Sequence, residues 1–101
     1  MAYSWDERYS FEGIEYTATC NEDGIGCITI NVKNDMYQNK ERIFGHAGYV
    51  DEYTGNWVYD DSIEFDSLGD AFEWGNGVLE NLDEKADILV DMAFKRMRGE
   101  L

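Results

Sequence analysis

A chain of 101 residues with 44% hydrophobic and 15% aromatic residues can build one modest core and is too aromatic for a disordered acidic tail. Its 22 Asp and Glu against 8 Lys and Arg give a formal net charge of −14. That balance argues against direct nucleic-acid binding, which needs Lys and Arg to neutralise phosphates, and points to a basic partner or one that itself grips nucleic acid.

Residues 1–9 read as an irregular lead-in. Over 11–20 the pattern alternates with period two, placing Ile14, Tyr16, Ala18 and Cys20 on one face. A second run over 27–33 places Ile28, Ile30 and Val32 together, and the Asp23-Gly24 turn between the runs predicts a β-hairpin. Residues 34–42 are polar and read as a connection or a short helical turn. Residues 43–50 and 56–59 read as a second hairpin around the turn 51–55, with 63–65 as a short extension. Gly45 and Gly48 weaken that reading, since glycine disfavours a strand interior. From residue 66 the period changes. Asp66 or Ser67 caps a helix running to about Leu79, weakened by Gly69, Gly75 and Gly77. A second helix is expected to start at the capping-box spacing Asn81-Leu82-Asp83-Glu84. It would bury the stripe Leu82, Ala86, Leu89, Val90, Ala93 and Met97, and stop at Gly99. The predicted fold is one α+β domain over 1–101: an antiparallel four-stranded sheet (two hairpins) with two C-terminal helices packed on one face.

The charge is uneven. Residues 43–84 hold 11 acids and no Lys or Arg, interleaved with aromatics. An acidic partner-binding face is therefore expected from Asp51, Glu52, Tyr53, Trp57, Asp60, Asp61, Glu64, Asp66, Asp70 and Glu73. Glu84, Asp87 and Asp91 extend it as a rail on the last helix, facing away from its apolar stripe. Tyr53, Trp57 and Trp74 are the natural anchors of such a face. Ile88 and Met92, one turn apart, are expected either to pack on the preceding helix or to meet a partner or a second copy in a homodimer contact.

Other chemistry finds little footing. His46 is the only histidine and reads as a structural or surface residue, not a general base. Cys20 and Cys27 flank the first turn and read as two thiols. Zinc would need further Cys or His ligands, and no Gly-rich phosphate loop or calcium-loop pattern is present. No metal, cofactor or catalytic residue is expected. Neither a signal peptide nor a membrane-spanning run is visible, and two cysteines are too few for a disulfide framework, so no membrane contact and a cytoplasmic setting are expected.

In size and charge alone the chain resembles the small acidic DNA-mimic proteins of phages and mobile elements, some of them anti-restriction or anti-CRISPR proteins. The resemblance implies a stoichiometric inhibitor that occludes a basic nucleic-acid-binding site. Two other classes compete: an immunity or antitoxin protein plugging a basic toxin active site, and an acidic adaptor with a protein-only partner.

Overall fold

A computed structural model describes residues 3–20, 24–60 and 62–100. The chain runs β1 (Asp6–Ser10), β2 (Gly13–Thr19), β3 (Gly26–Asp35), β4 (Lys40–Val50), β5 (Trp57–Tyr59), β6 (Ile63–Phe65), α1 (Leu68–Glu84) and α2 (Ala86–Met97). All strand pairs are antiparallel, in the order β1-β2-β3-β4-β5, and β6 lies beside β5 on the same edge of β4. The α+β class holds. The sheet, however, is a meander of six strands in five ranks instead of two hairpins of four.

Three differences from the sequence reading have physical causes. Residues 6–10 form an edge strand, exposed along its whole length, so no apolar alternation betrays it. The polar stretch 34–42 is the hairpin joining β3 to β4. Asp35 Oδ1 accepts from the amides of Tyr37 and Gln38, and Asn39 takes the left-handed φ of 52° that closes the turn. Finally, the outer edge of β4 is shared by two short strands: Gly48 pairs with Tyr59 of β5 and Gly45 with Ile63 of β6.

Gly45 and Gly48 lie inside β4, and each clears room for two rings. A Cβ at Gly45 would sit 2.5 Å from Trp74 and 2.8 Å from Phe65. At Gly48 it would meet Trp57 at 3.0 Å and Tyr59 at 3.2 Å. α1 packs on the face formed by Ala18, Ile28, Ile30 and Ala47, where Leu79 and Leu82 complete the core, and α2 packs against α1 and joins that core through Leu89. The predicted alternations of β2 and β3 are therefore correct. Trp5 crosses to the helix layer, lies against Gly75 and Phe72, and donates from Nε1 to Asn76 Oδ1 at 3.0 Å.

The helix boundary differs more. Ser67 caps α1 as expected, accepting from the Asp70 amide at 3.1 Å. α1 then continues through the expected Asn81 start to Glu84, because Leu79 and Leu82 both reach the core from one face of a single helix. The break falls at Lys85, where no side chain caps α2. Met97, assigned to the apolar stripe, is 81% exposed. Gly99 ends α2 as predicted: its φ is 76°, its amide bonds Arg96 O, and the Glu100 amide bonds Lys95 O. No helix among the described residues is long and apolar enough to cross a membrane.

Cys20 and Cys27 point to opposite faces, since Thr19 is the partner of Cys27 and Cys20 bonds to Gly26. Both are free thiols. Burial, helped by Asp83, pushes the Cys20 thiol up to about 12. Burial and a hydrogen bond from its hydroxyl to Asp83 also push Tyr3 above its ordinary value. Both groups stay protonated in the fold at pH values where the unfolded chain releases their protons. Stability is therefore level below their ordinary values of 9.0 and 10.0 and falls as pH rises beyond them. Thermal melts across an alkaline pH series are expected to show this decline, and Tyr3→Phe is expected to make it shallower.

Candidate partner-binding surface

α1 spans 17 residues with acids at 70, 73, 80, 83 and 84 and no Lys or Arg. At 100° per residue, Asp70, Glu73, Glu80 and Glu84 fall within about an 80° arc, and the rise between the first and last is about 21 Å. All four are exposed. The helix persists despite this repulsion because its opposite face buries Ala71, Gly75, Leu79 and Leu82. Glycine at 75 is required there, since a Cβ would lie 2.7 Å from the Trp5 ring.

The first half of the acidic row, Asp70 and Glu73, borders a groove between α1 and the β4–β5 edge. Its open end is a depression of about 520 Å³ beside Asp70, Glu73, Trp74 and Gly77. Val78 and Asn81 connect it to a deeper cleft of about 390 Å³ with Val50, Leu82 and Leu89 on its floor. Asp51, Glu52, Tyr53 and Asp60 stand around that cleft. The groove thus joins six of the residues expected from sequence: Asp51, Glu52, Tyr53, Asp60, Asp70 and Glu73.

The remaining candidates divide. Glu64 lies on the far side of the sheet, opposite Phe44, where Arg42 grips it in a two-pronged pair at 2.9 Å. That hydrogen bond, with the Arg42 charge, holds the Glu64 carboxyl below its ordinary range. Trp57 also faces the far side, over Gly48. Glu84 sits at the end of α1, whereas Asp87 and Asp91 are on α2, so the rail expected along one helix is broken at Lys85. Asp91 pairs with Lys95 at 3.1 Å. Asp66 is exposed just before the α1 cap, and Asp61 lies outside the described residues. Ile88 is 55% exposed and Met92 half-buried; the Met92 carbonyl closes over Gly55 of the β4–β5 turn.

The middle segment is less uniformly free than its composition implies. Arg42 and Lys85 reach in from outside it to meet Glu64 and Glu52. Asp51 Oδ1 is engaged by the Tyr53 and Thr54 amides, which shape the turn. Tyr49, raised by burial and by the nearby Asp60 charge, donates to Asp60 at 3.5 Å. Asp70, Glu73 and Glu84 have no ion pair among the described residues. Sequence reasoning named Asp70, Glu73 and Glu84 but not Glu80, and it divided them between two helices because it ended the first near Leu79. The helical spacing of 73, 80 and 84 was the signal.

Comparison of the chain with known protein families, curated proteins and solved structures finds no match.

Proposed function

We propose that this chain is a stoichiometric acidic inhibitor whose α1 groove occupies a basic nucleic-acid-binding site on a nuclease, restriction or RNA-guided nuclease complex. One observation carries the reading: α1 holds five acids and no base, and four of them line a single exposed row whose first two members border an open groove. Same-strand phosphates advance about 3.4 Å per nucleotide along the duplex axis and also wind around it, so carboxylates spread over a straight row of about 21 Å can stand in for some backbone phosphates. Arg and Lys side chains that normally grip phosphate would meet carboxylates on a rigid helix instead. The apolar floor of the adjoining cleft suits the aliphatic stems of those side chains.

The plug of a toxin pocket draws less support. Trp57 faces the uncovered side of the sheet, Trp74 packs on Phe65 beside the groove, and Tyr53 stands at the β4–β5 turn. Those three anchors do not converge on one pocket. Affinity for the partner is expected to fall by at least about tenfold between about 0.05 and 0.5 M salt, as screening shortens the reach of the acidic row. Isothermal titration across that range checks it, and salt-independent binding would refute phosphate mimicry.

A further inference from the structure

α1, with α2 beside it, covers one face of the sheet and leaves the other open. The strands on this open face carry no net charge. By alternation, the four bases among residues 1–42, Arg8, Lys33, Lys40 and Arg42, all fall there. Asp6, Glu15, Asp35 and Glu64 balance them. These charges gather toward the far edge strand and the β3–β4 turn. Phe44 lies under Lys33 and Arg42 at 5.9 and 5.0 Å, and from β2 to β5 Thr17, Thr29, His46, Trp57 and Tyr59 form an aromatic and polar patch with Asp60 at its rim. Trp57 and Tyr59 meet edge to face at 6.0 Å over Gly48 and are 40% and 79% exposed. They border a recess of about 340 Å³ that Cys27, Thr29, His46 and Asp60 share.

We infer that two copies of this chain associate through this open face, sheet against sheet, with Trp57 and Tyr59 near the two-fold axis. The occupant follows from charge. A chain at −14 repels its own copies over most of its surface. The open face is where that repulsion is weakest, because the acids and bases of its strands balance and Asp60 at the recess rim is the one excess charge. The patch around Trp57 and Tyr59 has the aromatic character of an interface core, and a two-fold contact requires one patch to match itself. Five ranks at about 4.8 Å spacing and strands about 24 Å long offer roughly 500–600 Å² of projected area per copy, at the low end for a specific interface. The dimer is therefore weak and concentration-dependent. It leaves both α1 grooves facing outward.

Sedimentation equilibrium of the full chain tests this separately from the inhibitor reading, because salt acts with opposite sign. Raising salt from about 0.1 to 1 M shortens the Debye length from about 10 to 3 Å and is expected to tighten the dimer, while it weakens a partner held by the acidic groove. Thr29→Glu and Thr29→Lys each place a new charge at the centre of the aromatic patch. Both are expected to weaken association by about tenfold or more, with far-UV circular dichroism confirming the fold, whereas Ile88→Asp is expected to leave it unchanged. A chain that stays monomeric at millimolar concentration in high salt overturns the inference. So does a dimer that loosens as salt rises, or one that Thr29→Glu and Thr29→Lys leave intact while Ile88→Asp dissolves it. A Glu that tightens and a Lys that loosens binding of a basic partner would assign the patch to that partner instead.

Discussion

Reversing two charges on α1, Glu73→Lys together with Glu84→Lys, is expected to weaken binding to the basic partner by at least about a hundredfold while leaving the fold intact. Each change replaces an attraction with a repulsion on the exposed row. Neither side chain holds an ion pair among the described residues, so the fold loses no contact of that kind. The physics of the helix favours the variant. Glu84 is the last residue of α1, where an acid opposes the helix dipole by about 0.3–1 kcal/mol. It also follows Glu80 by four residues, a like-charge spacing that costs about 0.2–0.5 kcal/mol. Reversal at 84 turns both terms favourable. Melting temperature is thus expected to stay level or rise as affinity collapses, a combination that unfolding cannot produce. Titration calorimetry and a thermal melt on one sample read both quantities. Wild-type affinity in the variant would remove α1 from the binding surface. By contrast, Glu64 is unsuitable for such a test, because reversing it breaks its pair with Arg42 across the β4–β6 edge.

Leu79→Ala is expected to cause the largest loss of stability, about 3 kcal/mol or more. Leu79 is fully buried in the cluster that joins α1 to Ile28 and Ala47 on the sheet and to Leu89 on α2. Removing its side chain both forfeits apolar burial and leaves a cavity that rigid β3 and β4 cannot close. For a domain of this length, whose total stability is typically about 5–15 kcal/mol, that loss corresponds to a fall in melting temperature of more than about 10 °C. Differential scanning calorimetry reads it directly. A drop of only a degree or two would mean that α1 is not seated on the sheet through this residue.

Much of the fold was legible because burial imposes a period. β2 and β3 alternate cleanly since each has one face under the helices, and their apolar residues were grouped correctly. β1 is exposed on both faces, so nothing in Asp6–Ser10 marks it as a strand. The glycines of β4 were misleading for a different reason. They weaken a strand in isolation, yet here Trp74, Phe65, Trp57 and Tyr59 from other elements fill the space above them. Tertiary packing decides that, and a local reading cannot see it. The α1–α2 boundary was placed too early because Asn81-Leu82-Asp83-Glu84 has the spacing of a cap without being one. Leu79 and Leu82 keep the chain helical through that point.

The candidate surface was legible by composition and illegible by direction. The run of acids from 51 to 84 did locate the groove through Asp51, Glu52, Asp60, Asp70 and Glu73. It could not reveal that strand alternation sends Glu64 to the opposite face, or that Arg42 and Lys85 reach in from segments distant in sequence. Pairing across a sheet and around a helix junction brings those cations close, and neither is encoded in local spacing.

The most direct measurement is a competition on the chain itself. The wild-type protein is immobilised, loaded with its partner from host extract, and then challenged with a short DNA duplex. If α1 stands in the partner's nucleic-acid site, duplex and chain exclude each other, and the partner leaves the surface as the duplex saturates it. A stable ternary complex, with duplex and chain held by the partner at once, would contradict occlusion of that site.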